Sequence, residues 1–326
     1  MFTKYVDKEK FYSNKKESLR DGFGRGLVKA GEENEKVLAV CADLAESTRM
    51  HWFKERFPER FIEVGITEQH MAGFSSGLAA MGFVPFMSSY AMFSPGRNWE
   101  QIRTTICYND QNVKIVGSHA GVSVGPDGGT HQALEDVAIL RPIPNIEIVV
   151  PADSLEAEIA TQKIAKSKIP SYIRLARAST NLFLSNEVEK DFQIGKIYSL
   201  WESENPQILI VSMGPITYEA LVASEELEKQ GIGSVVLNAH TIKPFDKETL
   251  LFYAKKTKAV LCVEEHQKTG GLFSAVSEIL SEHLPKKVAS VAVEDKFGES
   301  GNPDELLKRF GLIATNIKNK AINILK

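Results

Sequence analysis

Cysteine is scarce. Three residues, Cys41, Cys107 and Cys262, lie far apart in a chain of 326, and no CxxC pair is present. An odd, scattered set excludes a disulfide framework and a cysteine-based metal site. Cys41 and Cys262 sit in the apolar runs Val37–Cys41 and Val260–Val263, so buried thiols in a reducing compartment are expected. No apolar run approaches membrane-spanning length, and the segment from Met1 to Lys10 lacks the apolar core of a signal peptide. The expectation is a cytoplasmic protein without membrane contact. Charge of one sign is also lacking: a net of -3 gives no general attraction to nucleic acid or anionic lipid, so any bound anion must be met by local side chains. Neither a Walker sequence nor a GxGxxG after a strand occurs, and no solenoid repeat or low-complexity tract is visible.

What is there is ordinary globular material, 43% hydrophobic and 25% charged, and longer than one core usually carries. Short β-branched runs alternate with helical patterns, the rhythm of mainly parallel sheets covered by helices. In the first half the runs Val37–Cys41, Phe61–Val64, Phe83–Met87, Val113–Val116, Ile146–Val150 and Tyr172–Leu175 predict strands. Leu19–Ala30, Glu68–Met81, Trp99–Cys107 and Leu155–Ala165 predict helices. The rhythm restarts with Ile208–Val211, Val235–Leu237, Val260–Val263 and Val288–Val293, with helices near 217–229, 272–283 and 303–310. The polar segment Leu184–Pro206 separates the halves, which predicts two doubly wound α/β domains, 1–187 and 188–326.

Three segments carry chemistry. In Gly65-Ile66-Thr67-Glu68-Gln69-His70, Thr67 can cap a helix whose first turn holds Glu68, at the carboxyl end of a strand where α/β sheets bind ligands. A solvated carboxylate serving only the helix dipole is the alternative. Tyr90 and Phe93 come just after the next strand, three residues apart, and can either wall a flat ring or pack in the core. The glycine-rich loop from His119 to Gln132 carries His119, Asp127 and His131 with little apolar body to pack, which suits a ligand loop; their spacing matches no common zinc pattern.

Taken together, Glu68 in its Gly-Ile-Thr-Glu-Gln-His setting, Tyr90, Phe93, the loop Gly125-Pro126-Asp127-Gly128-Gly129-Thr130-His131-Gln132 and the run Pro142-Ile143-Pro144-Asn145 resemble the transketolase family of thiamine diphosphate enzymes. The likeness spans the chain, because Val263-Glu264-Glu265-His266 and Gly270-Gly271 resemble the family's C-terminal domain. The Gly-Asp-Gly that holds magnesium and diphosphate in that family is missing. The resemblance therefore implies the C-terminal half of a split transketolase, pyrimidine-binding plus C-terminal domains. A partner subunit then supplies the diphosphate domain and the Mg2+ ligands, in a heterotetramer of two of each chain.

The resemblance also implies roles. Glu68 is the acid that hydrogen-bonds the aminopyrimidine N1' and so enables proton removal from the thiazolium C2, which requires burial to raise its pKa, with Ile66, Met71 and aromatics around it. Tyr90 and Phe93 pack on the pyrimidine, Leu44 props the bent cofactor, and Asp43 lies near the thiazolium; a strand-end helix cap is the alternative for Asp43. Arg20, Ser47, His119 and Arg177 bind the phosphate of a sugar phosphate, with Arg174 competing for the role of Arg177. His131 is catalytic, bonding hydroxyls near the reacting carbon, and Asp127 reads the acceptor's C2 hydroxyl. Two departures stand out. Gly96 replaces a further ring-packing aromatic, leaving the pocket open or filled by Met92, and Pro126 is found more often in deoxyxylulose phosphate synthases. That synthase, a 2-oxo acid dehydrogenase β-like subunit and a non-catalytic paralogue are the competing readings.

Overall fold

The computed structural model describes residues 1–326. Two sheets organise it. In the first, six parallel strands run in the spatial order Glu147–Val149, Ser171–Arg174, Lys114–Ser118, Val84–Tyr90, Val37–Cys41 and Phe61–Glu63. The second has the order Lys287–Val293, Ala259–Gln267, Pro206–Met213, Gly233–Asn238 and Tyr198–Glu202, parallel except for the last strand. The architecture is α/β with two mainly parallel sheets, as the alternating pattern predicts. No helix is long and apolar enough to cross a membrane.

Parallel strands are buried on both faces, and their sequences show it. Val37, Ala39 and Cys41 face one hydrophobic core while Val40 and Ala42 face another; Ile208 and Ile210 join the first core, Leu209 and Val211 the second. Each core therefore runs through both halves of the chain. The link is also made by backbone: Thr241–Lys243 leaves the second half and pairs antiparallel with Glu147–Val149, becoming a seventh strand of the first sheet. Buried side chains reinforce the junction, with Asn238 Nδ2 donating to Glu156 Oε1 at 2.9 Å and the Tyr198 hydroxyl donating to the same carboxylate.

Several local expectations need correction. Trp99–Cys107 is a short α turn, Trp99–Gln101, that widens over Ile102–Cys107 into five-residue turns, as in Tyr108 N–H to Arg103 C=O at 3.0 Å. The polar segment Leu184–Pro206 contains a true strand, Tyr198–Glu202. Thr67 occupies the N-cap of the helix Glu68–Ala80, but its hydroxyl donates backward to Val64 C=O at 2.8 Å and caps no N–H.

Candidate active site

Every residue singled out for the first half except Arg20, Asp127 and His131 comes close after the carboxyl end of a parallel strand. Asp43, Leu44 and Ser47 come after Val37–Cys41, Glu68 after Phe61–Glu63, Tyr90 ends Val84–Tyr90 with Phe93 behind it, His119 succeeds Lys114–Ser118, and Arg177 succeeds Ser171–Arg174. Arg20 comes from the helix Leu19–Glu33. Sheet geometry thus brings to one edge residues that are widely separated in sequence.

Glu68 is 1% exposed, although it opens a helix beside solvent. Tight turns behind it account for this. Tyr90 C=O accepts both Phe93 N–H and Ser94 N–H at 2.8 Å, and Asn98 Nδ2 then donates to Glu68 C=O at 3.1 Å and to Ser94 Oγ at 3.2 Å. The carboxylate meets two donors: Arg97 Nη1 at 2.6 Å on Oε2, and Ser89 Oγ at 3.4 Å on Oε1. Met71 is buried as expected of a neighbour of Glu68, but Ile66 is 70% exposed and shields nothing. The Arg97 guanidinium also lies 4.6 Å from the centre of the Phe93 ring, a cation–π contact.

The aromatics form a shelf instead of entering the core. Tyr90 and Phe93, both half-buried, stack at 6.0 Å with their planes 18° apart. The His119 ring stacks on Tyr90 at 3.8 Å, and His131 meets Phe93 edge-on at 5.4 Å with Thr130 Oγ1 at 2.9 Å from its Nδ1. Gly96 is required here, because a Cβ would lie 2.0 Å from Met92 C=O. The next residue, Arg97, stands beside the carboxylate.

Arg20, His119 and Arg177 gather beside this shelf. Arg20 donates to the backbone carbonyls of Ser47 at 2.7 Å and Arg177 at 3.0 Å, and Arg177 Nη1 donates to Val124 C=O at 2.8 Å. The Ser47 contact is made by its carbonyl, not its hydroxyl. Burial, followed by Arg20 and Arg177, pushes His119 far below the usual imidazole range, so it is neutral at ordinary pH. Arg49, which the sequence reading missed, adds to the same positive field and is balanced by Asp21 at 2.6 Å. Arg174 is elsewhere: its Nε pairs with the buried Asp136 at 2.8 Å, so it is no rival to Arg177. Asp127 is exposed on the loop, and Asp43 is exposed in a left-handed conformation with φ 58°. Asp43 caps no helix; its N–H donates to Glu63 Oε1 at 2.7 Å. Leu44 packs against the core from the strand end.

The arrangement is a buried carboxylate, an aromatic shelf, two histidine rings and an arginine cluster on an open face. Chemically it can bind a flat ring with a hydrogen-bonding nitrogen and an anion beside it. Among the missed residues, Arg97 carried a readable signal, since Phe93 and Arg97 have the i, i+4 spacing of one helical turn; Ser89 and Asn98 carried none.

Comparison with known proteins gives consistent answers. Residues 15–181 match the model of the transketolase pyrimidine binding domain, and residues 198–317 match the transketolase C-terminal domain. A putative transketolase C-terminal section from Methanocaldococcus jannaschii is 40% identical over 310 residues, covering 94% of this chain and 96% of that protein. The 6-deoxy-6-sulfo-D-fructose transketolase subunit SqwH of a Clostridium species is 40% identical over 303 residues, covering 93% of each. A solved structure described as a split gene transketolase, inactive beta4 tetramer, superposes with a TM-score of 0.84 at 38% identity, covering 95% of this chain and 99% of that one. The chain belongs to the transketolase family and corresponds to its C-terminal section.

Proposed function

We propose that this chain, joined to a second polypeptide bearing the diphosphate domain, is the pyrimidine-side half of a thiamine diphosphate-dependent transketolase. The complex moves a two-carbon ketol unit from a ketose phosphate to an aldose phosphate. The observation that carries this reading is Glu68: a carboxylate 1% exposed, at a strand-to-helix junction, beside a shelf of half-buried aromatics. Its Oε1 is met only by Ser89 Oγ at 3.4 Å, a long contact that a ligand ring nitrogen sharing a proton with the carboxyl can replace.

The donor chemistry fits an aminopyrimidine. Glu68 would hold the ring nitrogen, Tyr90 and Phe93 its face, and Leu44 and Asp43 the neighbouring part of the cofactor. When bound, thiamine diphosphate supplies the electron sink that carries the two-carbon unit. Magnesium and diphosphate are assigned to the partner, because the Gly-Asp-Gly motif is missing from this sequence.

On the substrate side, Arg20, His119 and Arg177, with the Ser47 segment, hold the anionic end of the sugar. Arginine forks suit a phosphate dianion, and a neutral His119 can add a hydrogen bond without needing a proton from solvent. His131, tied to Thr130, lies against Phe93 and is the group to bond hydroxyls near the reacting carbon, with Asp127 reading the acceptor's C2 hydroxyl. A heterotetramer of two of each chain is consistent with the half-site character of the open face. Three unpaired, buried thiols favour a reducing cytoplasm.

The test is ketol transfer from xylulose 5-phosphate to ribose 5-phosphate by the reconstituted pair, with a sulfonated ketose as a second donor. Transfer from either donor by the pair, and none by the single chain, is expected. Pyruvate consumption without transfer would point to the synthase or dehydrogenase reading. Assembly with neither activity would mark a non-catalytic paralogue.

A further inference from the structure

The loop that carries His119 and His131 is held from the other half of the chain. Its base is closed on itself, with Gly121 N–H donating to Ala133 C=O at 2.9 Å. Its inner turn, Val122–Val124, is not free: Ser123 N–H donates to Glu265 Oε1 at 2.6 Å, and Glu265 belongs to the strand Ala259–Gln267 of the second sheet. Glu265 is 4% exposed. At Gly121, where φ is +90°, a Cβ would lie 2.3 Å from that same Oε1, so the carboxylate fills the loop's interior. Glu265 is itself fixed, because Arg174 Nη2 donates to its backbone carbonyl at 3.0 Å while Arg174 Nε pairs with Asp136. A second tie runs from Gln132 Nε2 to Glu299 C=O at 2.8 Å.

The consequence reaches the anion-binding group through one residue. Val124, next to Ser123, presents the carbonyl that receives Arg177 Nη1 at 2.8 Å, and the Arg177 carbonyl receives Arg20 Nη2 at 3.0 Å. We infer that Glu265 is a positioning residue: by anchoring Ser123 it sets the Val124 carbonyl, and through it the Arg177 guanidinium that binds the anionic end of the sugar. This gives the C-terminal domain a part in substrate affinity through the loop it holds, and the inference rests on the substrate reading above.

Glu265→Ala removes the acceptor for Ser123 N–H, whereas Glu265→Gln keeps an oxygen in its place. In the assembled enzyme, E265A is expected to raise KM for the anionic acceptor about 10-fold, or ~1.4 kcal/mol, with kcat changed less than about threefold. E265Q should recover most of that loss. Amide exchange over residues 121–132 should quicken in E265A, return in E265Q, and stay unchanged in the helix Ser154–Lys166. An unmoved KM despite faster loop exchange overturns the inference, as does a loss of kcat alone or an equal loss in both variants with a general fall in melting temperature. If the wild-type complex shows no ketol transfer, the functional reading fails separately, and calorimetry with inorganic phosphate decides the positioning role: weaker binding by E265A than by wild type and E265Q supports it. Equal binding by all three, or none by wild type, overturns it.

Discussion

Arg97 Nη1 lies 2.6 Å from Glu68 Oε2, so the carboxylate at the centre of the candidate site is ion-paired within its own chain. The two partners differ sharply in environment: Glu68 is 1% exposed and Arg97 47%. Removing the arginine leaves a buried charge without compensation, while removing the glutamate only returns a cation to water. R97Q is therefore expected to cost about 1–3 kcal/mol, discounted for the exposed partner. In an E68Q background the same change should cost less than about 0.5 kcal/mol. Urea unfolding of the four proteins measures the difference, and equal costs in both backgrounds would show that the pair contributes nothing.

The carboxylate itself is needed for proton sharing, which an amide of the same shape does not provide. E68Q should lower ketol transfer by about 100-fold or more in the reconstituted complex, the range typical of a lost acid–base group. Assembly with the partner, read by light scattering, should be unchanged, since the side chain points into a site and not onto the outer surface. Normal turnover by E68Q would remove the proposed role.

Gly96 ties the shelf to its arginine. A Cβ at this position would sit 2.0 Å from Met92 C=O, a backbone atom that cannot swing aside. G96A is expected to destabilise the chain by about 1–3 kcal/mol through forced backbone movement. It should also loosen the turn in which Arg97 N–H donates to Phe93 C=O at 3.0 Å. A melting temperature equal to that of wild type would show that the turn yields without cost.

Much of this architecture could be read from residue order, and the reasons are local. Parallel strands such as Val37–Cys41 and Ala259–Gln267 are apolar on both faces, so they stand out as continuous runs. Glu68, Tyr90 and His119 were legible because each stands at or just past the carboxyl end of such a strand, where α/β sheets meet their ligands. What escaped depends on contacts between distant segments. Thr241–Lys243 is too short to declare itself and is a strand only because Glu147–Val149 offers an edge. Arg174 and Arg177 look alike in Arg-Leu-Ala-Arg, yet only burial against Asp136 separates a structural arginine from one beside His119. Thr67 had the residue type of a cap, but Val64 C=O took its hydroxyl.

Glu264, one residue before the loop anchor, makes the pH dependence of stability testable. Its oxygens accept Leu272 N–H at 2.7 Å and Phe273 N–H at 2.9 Å at the start of the helix Leu272–His283, and burial nevertheless pushes its carboxyl up to about 8. A carboxyl whose folded pKa exceeds its unfolded value near 4.5 holds its proton more tightly in the native state. Its contribution to stability is complete below pH 4.5 and is lost as pH rises toward about 8. His266 opposes this only at lower pH, since burial pushes it down to about 4 and its contribution falls as pH drops from 6.5 toward that value. The cleanest readout is the difference between E264Q, which stays neutral throughout, and wild type. The melting temperature of E264Q relative to wild type should rise steadily between about pH 5 and pH 8. A difference independent of pH would mean that Glu264 is ionised across the whole range, stabilised by the two N–H donors of the helix start in spite of burial.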